Sequence, residues 1–319
     1  MWIIYKNKLM KTETKYIIAI SLIKGIGAAF MKQNIHLIHS YKNNHEMLCG
    51  ISNKITLDDL EENIIYAEQI IQECTELDIT IRTIIDKDYP KQLLEIKDPP
   101  PILYLKGNLN LLSKVIAIIG TRKSTDLGNK IAAKLGTYFS DKWSICNGLV
   151  DGIDKSAILI NNTIAPNVIG VLSGGLNFEK TSSKVTKELA SMVLANNGLL
   201  ISEQEPNKKE DQFSGSKASR IQAGLSNGLI LAQSSITGGS KYTLKTFSEL
   251  KRPIGVIAFE PNSEYQISEE FSANRLLVLD GKKGLLKICD IKKPENLKTS
   301  EIIKINNVAD YTIFENSIN

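Results

Sequence analysis

The spacing of apolar positions changes near residue 79. Before it, the chain reads as helical. Tyr16–Lys24 is an apolar run, Gly25-Ile26-Gly27 breaks it, and a second helical pattern runs from Ala28 to about His39. Thr56 has the chemistry of an N-cap, with Asp58, Asp59, Glu61 and Glu62 in the first turn behind it. Leu60, Ile64, Ala67, Ile71 and Cys74 then recur at alternating intervals of four and three, which marks one buried helical face. These patterns predict a small helical domain over residues 1–78.

From residue 79 to 292, short runs of strand formers alternate with glycine- or serine-bearing loops and helix-compatible segments. Val115–Ile119 leads through Gly120–Ser124 into a helix over Gly128–Phe139, and Trp143–Cys146 leads through Asn147–Asp154 into Lys155–Ile160. Val168–Leu172 ends at Ser173-Gly174-Gly175, and Leu199–Ile201 ends at Ser202-Glu203. Leu229–Leu231 is followed by Ser234–Ser240 and a helical Lys241–Leu250, and Pro253–Ala258 and Leu276–Leu279 read as two further strands. Buried strands alternating with helices predict an α/β fold, a doubly wound parallel sheet covered on both faces. The last stretch, 293–319, is polar and too short for a core of its own, so it reads as a C-terminal tail or a single packed element.

Composition narrows the classes. A chain of 319 residues with 42% hydrophobic and 23% charged residues can bury a full core and is not disordered. Its longest uncharged apolar stretch, Tyr16–Ile23, is far short of the ~20 residues that span a bilayer. No small-x-small cleavage site follows that stretch, and Cys49, Cys74, Cys146 and Cys289 lie far apart without a CxxC pair. Together these point to a cytoplasmic chain with no membrane contact, no disulfide scaffold and no zinc site. The net charge of +4 permits an anionic partner without requiring one. Lysine carries most of the positive charge, because Arg82, Arg122, Arg220, Arg252 and Arg275 are the only arginines.

In a doubly wound sheet, ligands sit outside the carboxyl ends of the strands, where strand order reverses. Those ends are rich here in glycine and small hydroxyl residues, which let backbone N–H groups approach an anion. Arg122 sits in the first such loop, and Arg220, with Lys217 one turn earlier, precedes strand Leu229–Leu231. Neither a GxGxxG fingerprint nor a GxxxxGK[ST] loop follows the first strand, which argues against a dehydrogenase and a P-loop ATPase. His36, His39 and His45 all lie in the helical region, away from the sheet loops. Asp151, Asp154 and Glu203 are the candidate acids, equally suited to caps or ion pairs. No catalytic constellation, metal set or cofactor motif emerges, and the chain reads as a non-enzyme.

Several segments, taken in order, resemble the DNA-processing protein A family (DprA, also called Smf). They are Asp88-Tyr89-Pro90, Asp98-Pro99-Pro100, Leu103–Asn108, Ala117–Ser124 with Gly128, Asn147-Gly148-Leu149, Gly152-Ile153-Asp154 and Val171–Leu176. Gly198–Glu203, Arg220–Ser226, Gly239-Ser240 with Thr243, and Asn274–Leu277 with Gly281 continue the series, so the likeness covers about residues 80–290. The resemblance implies an extended Rossmann-like sheet that binds single-stranded DNA, forms a homodimer and hands the strand to a RecA-type recombinase in natural transformation and related recombination. It also likens Gly25-Ile26-Gly27 to a helix-hairpin-helix turn, for which an ordinary helix–helix turn is the competing reading.

The chain departs from the family at several places. Ile158 replaces a histidine, Ala218 and Ser219 stand where an Arg-Asn pair is usual, Gln233 replaces a glutamate, and no Tyr-Pro follows Gly175-Leu176. A C-terminal winged helix, present in some members, has no room.

The expected phosphate- and DNA-binding set is Gly120, Thr121, Arg122, Lys123, Ser124, Gly128, Asn147, Gly148, Gly152, Ser173, Gly174, Gly175, Lys217, Arg220, Gly239, Ser240 and Thr243. Phe213 is the candidate stacking platform, or else a core residue. Two alternatives stand beside this reading. One is a nucleotide sensor or nucleotide-cleaving enzyme, since Gly238–Leu244 is distantly similar to a phosphoribohydrolase motif but has Thr246 at its glutamate position. The other is a DNA-binding module of a defence assembly.

Overall fold

A computed structural model describes residues 13–41, 44–260 and 263–318. The first twelve residues of the expected helical region therefore lie outside the described residues. Among the described residues five helices come first: α1 (13–22), α2 (Ala28–Gln33), α3 (Ile35–Tyr41), α4 (His45–Cys49) and α5 (Leu57–Glu76). The single helix expected after Gly27 is two, parted at Asn34. The Thr56 hydroxyl accepts from the Asp59 N–H at 3.1 Å and so caps α5 as its sequence predicts. Leu60, Ala67, Ile70 and Cys74 form the buried stripe of α5.

The sheet then follows as β1 (Thr80–Thr83), β2 (Ile102–Gly107), β3 (Val115–Gly120), α6 (Asp126–Phe139), β4 (Ser144–Asn147) and α7 (Ile153–Ile158). A hairpin of β5 (Leu159–Ile160) and β6 (Thr163–Ile164) turns through Asn161 and Asn162, both at positive φ, and ends the helix expected to run to Ile160. Next come β7 (Val168–Val171), α8 (Phe178–Thr181), α9 (Lys184–Ala195), β8 (Leu199–Ser202), α10 (Ser214–Leu225), β9 (Gly228–Gln233) and α11 (Lys241–Ser248). The chain finishes with β10 (Ile254–Ile257), α12 (Ser272–Asp280), α13 (Lys282–Ile288), β11 (Ile302–Ile305) and α14 (Ala309–Ser317).

Nine strands form the main sheet in the order β1-β2-β8-β7-β4-β3-β9-β10-β11. It is parallel from β8 to β11 and antiparallel at the β1–β2–β8 edge, so it is doubly wound but not wholly parallel. Strand order reverses between β3 and β9. The continuous apolar runs have a direct cause: alternate residues enter different cores. Ile116 and Ile118 join the layer that also holds the N-terminal helices, while Val115, Ala117 and Ile119 join the layer on the other face. The helical region thus shares its core with one face of the sheet.

One expectation fails, and another is decided between its two readings. Leu276–Leu279 is not a strand but part of α12, with Ala273 and Leu277 buried one turn apart. Asn274 fixes that helix to the sheet: its Nδ2 donates to the carbonyls of Leu231, Ala232 and Ile257 at 3.1–3.3 Å, and its Oδ1 accepts from the Ser234 N–H at 3.0 Å. The last strand comes instead from the segment read as a tail or a single packed element, and it is packed. β11 pairs in parallel with β10, Ile254 opposite Ile302 and Ile257 opposite Ile305. Phe314 of α14 meets Phe139 edge-on at 6.1 Å, and Glu315 accepts from Trp143 Nε1 at 3.2 Å. Residues 293–318 need no core of their own because they complete an existing one.

Candidate functional site

The reversal of strand order leaves a crevice outside the carboxyl ends of β3 and β9, of about 640 Å³. One wall is the loop after β3, with Gly120, Thr121, Arg122 and Lys123. A second is the β4–α7 loop, with Gly148, Val150 and Asp154, extended by Ser173 after β7. The facing wall is α10 and its approach, with Gln212, Phe213, Ser216, Ser219 and Gln222, and the N-terminus of α11 borders the end with Gly239, Ser240, Tyr242 and Thr243.

Tight backbone packing sets this shape. Thr121 N–H donates to the Gln233 carbonyl at 2.8 Å, tying the first loop to the end of β9. Gly152 (φ +82°) lies where the two β–α loops meet, and a Cβ there would collide with the Thr121 carbonyl oxygen. A Cβ on Gly128 would collide with Gln233 Oε1. That oxygen accepts from the Thr125 N–H at 3.0 Å, so Gln233 ties the start of α6 to β9.

The floor of the crevice is buried and polar. Gln222 lines it and is 7% exposed. The Ser240 hydroxyl is buried with no partner among the described residues. Buried polar atoms left unpaired cost about 1–3 kcal/mol each, so such a floor suits a ligand with donors and acceptors of its own. Asp154 is also buried and accepts from the Gly148 N–H at 2.8 Å. Burial raises its pKa to about 7, against the opposing pull of the Gly148 and Val150 N–H groups and the Arg122 charge. Near neutral pH the floor therefore carries only part of a negative charge. On the rim, Arg122 and Lys123 are exposed and in no salt bridge among the described residues, and Phe213 is 62% exposed, which removes the core reading of that ring.

Of the expected set, Gly120, Thr121, Arg122, Lys123, Gly148, Ser173, Gly239, Ser240 and Thr243 line this crevice. The others do not. Ser124 donates to Asn129 Oδ1, Asn147 donates to the Asp154 carbonyl, and Gly174 and Gly175 pack beneath residues 205–208. Gly128 and Gly152 are the close-packing positions described above. Arg220 turns away: its guanidinium grips Glu203 through two bonds of 2.8 and 2.6 Å and donates to Asp98 Oδ2 at 3.1 Å. Two carboxylates thus occupy the fork read from sequence as a phosphate clamp. Lys217 and Arg220 line a neighbouring cavity instead. Gln222 and Tyr242 escape a sequence reading because only the helix faces of α10 and α11 bring them to the crevice.

The sequence model of the family described as DNA recombination-mediator protein A matches residues 80–289, well over half of the chain. The chain belongs to that family. It is 32% identical over 189 residues to DNA processing protein DprA of Bacillus subtilis, covering 58% of this chain and 63% of that protein. It is 32% identical over 176 residues to DprA of Streptococcus pneumoniae, covering 55% and 61%. The chain therefore spans about three fifths of the length of these relatives. It is similar in fold to the X-ray structure of DprA from S. pneumoniae, with TM-score 0.66, 24% identity and 95% and 97% of the two chains covered. It is likewise similar to DNA processing protein A from Helicobacter pylori, with TM-score 0.57, 23% identity and 75% and 97% covered. The H. pylori protein has a single-stranded DNA binding mode. Ile158 and Ala218, two of the positions read from sequence as departures, are both buried, Ile158 fully and Ala218 in the core on the other face of the sheet.

Proposed function

We propose that this protein binds single-stranded DNA in the crevice between the β3 and β9 ends and does no chemistry on it. The observation that carries the reading is the pairing of donors there. A guanidinium in no salt bridge among the described residues, on Arg122, stands at the mouth, and a buried hydroxyl without a partner among them, on Ser240, stands at the N-terminus of α11. Phosphate contacts of this kind position a strand without reading its sequence. The family and the H. pylori relative support the same ligand.

In this reading the protein is a cytoplasmic homodimer that covers incoming strands and passes them to a RecA-type recombinase. Light scattering on the purified chain tests the dimer, and strand exchange by RecA with and without the protein tests the hand-over. A gel-shift series with single- and double-stranded oligonucleotides at two salt concentrations tests the ligand. The single strand binds more tightly, and Arg122→Ala weakens binding and flattens the log–log salt slope by about 0.7 for each phosphate that is no longer neutralised. An unchanged slope places the phosphates elsewhere.

Asp154 favours a second reading, a nucleotide-cleaving site, because an acid with pKa about 7 in a crevice suits proton transfer. Free base released from nucleoside monophosphates supports that reading, and its absence removes it.

A further inference from the structure

The crevice is not closed at its α10–α11 end. A second cavity of about 670 Å³ begins there, and the two share Ser216 and Tyr242 as common wall. Tyr242 lines both spaces and is 48% exposed, and Lys241 Nζ lies over its ring, 5.4 Å from the centroid. The second cavity lies between α1 with the turn after it and the sheet side of the molecule. Its apolar wall comes from Ile18, Leu22 and Ile26. Its floor is rich in acceptors, since Arg220 lies between Glu203 and Asp98 and Glu205 accepts from the Tyr66 hydroxyl at 2.7 Å, while Lys217 and Lys245 on its rim are in no salt bridge among the described residues.

A space with an apolar wall, a floor of carboxylate acceptors and a cationic rim matches one nucleotide, with the N–H donors of its base on the floor and its phosphate held out at the rim lysines, away from the carboxylates. An aromatic ring shared with the neighbouring crevice is where two successive bases meet. We propose that the cavity between the N-terminal helices and the sheet is a second nucleotide subsite, with Tyr242 as the stacking step between it and the crevice. This inference rests on the single-strand reading and extends it to the N-terminal helices. The unit of recognition is then at least two consecutive nucleotides, and the bases contribute to affinity without being read by sequence.

The test compares a twelve-residue oligothymidylate with an abasic oligomer of the same length and charge, by fluorescence anisotropy. Wild type binds the oligothymidylate more tightly. Tyr242→Ala lowers that affinity about tenfold and leaves the abasic affinity unchanged, while Tyr242→Phe keeps both. No loss, or an equal loss on both oligomers, overturns the stacking step. In parallel, oligothymidylate carrying 4-thiothymidine is photo-cross-linked to wild type and the linked peptides are mapped. Links within residues 18–28 are expected, and links confined to the crevice walls overturn the second subsite. If wild type binds neither oligomer, the single-strand reading itself fails, which is a different result from a wild type that binds while Tyr242→Ala changes nothing.

Discussion

At the scale of single residues, the chemistry of this protein turns on which polar groups are already satisfied. Arg122 and Arg220 look alike in sequence, each near a small-residue loop at the sheet edge. Among the described residues Arg122 is held by no carboxylate, whereas Arg220 is held by two. Arg122→Ala is therefore expected to leave thermal unfolding within about 0.5 kcal/mol of wild type while weakening strand binding. Arg220→Ala strands Glu203, whose side chain is 13% exposed, and is expected to cost about 3–5 kcal/mol in denaturant unfolding. A phosphate-clamp role for Arg220 predicts the opposite pattern, with weakened binding and unchanged stability.

Asp154 supplies a pH dependence of definite sign. Its carboxyl has a pKa of about 7 in the folded protein against 3.8 ordinarily, so between those values the folded state holds a proton that the unfolded state has released. Its contribution to stability is whole below about pH 3.8, falls as pH rises, and is gone above about pH 7. The full span is up to roughly 4 kcal/mol. Asp154→Asn keeps an acceptor for the Gly148 N–H and removes the titration. Relative to wild type, the variant should gain stability between about pH 5 and about pH 8 in paired urea titrations. An anion bound over this floor holds the proton more firmly, so wild-type strand affinity should rise as pH falls through about 7, and Asp154→Asn should flatten that rise.

Among elements, the strongest constraint is the packing of α6 on α7. A Cβ on Gly136 would run into the Ala157 carbonyl oxygen, a backbone atom that no rotamer change can move. Gly136→Ala must part the two helices that carry the crevice loops. It is expected to cost more than the usual ~1–3 kcal/mol of overpacking, and to lower strand affinity as the loops shift. By contrast, Thr56→Ala removes only the cap of α5 and should cost about 1 kcal/mol without touching binding. Chemical denaturation of both variants checks the order.

Over the whole molecule, the two ends of the chain close the two open sides of one structure. The N-terminal helices share a core with one face of the sheet, and β11 with α14 completes its far edge. Cutting the chain after residue 292 uncovers β10 along its length and removes Phe314 from against Phe139, Gly228 and Gly255. Such a truncation is expected to abolish the cooperative thermal transition and to make the protein bind hydrophobic dyes. A separable tail would leave both measurements unchanged.

Neighbours along the chain were enough to settle the capped and striped α5, the β–α alternation through the middle, and the small residues at the strand ends. Periods of two and 3.6 and local capping chemistry are visible to any short window. Segments 276–279 and 302–305 go astray in such a reading because four residues of this kind in a row fit a strand or a helix face equally well, and the partner surface decides between them. For 276–279 that partner is the Asn274 bonding site at the ends of β9 and β10, and for 302–305 it is the open edge of β10. Folding in three dimensions was needed to decide which cation meets a carboxylate and which meets the open crevice. It was needed again to set Gln222, Tyr242 and the Ser240 hydroxyl on common walls. Ion pairing and burial depend on distances between residues remote in the chain, as with Arg220 and Asp98, 122 positions apart, and no local pattern encodes them.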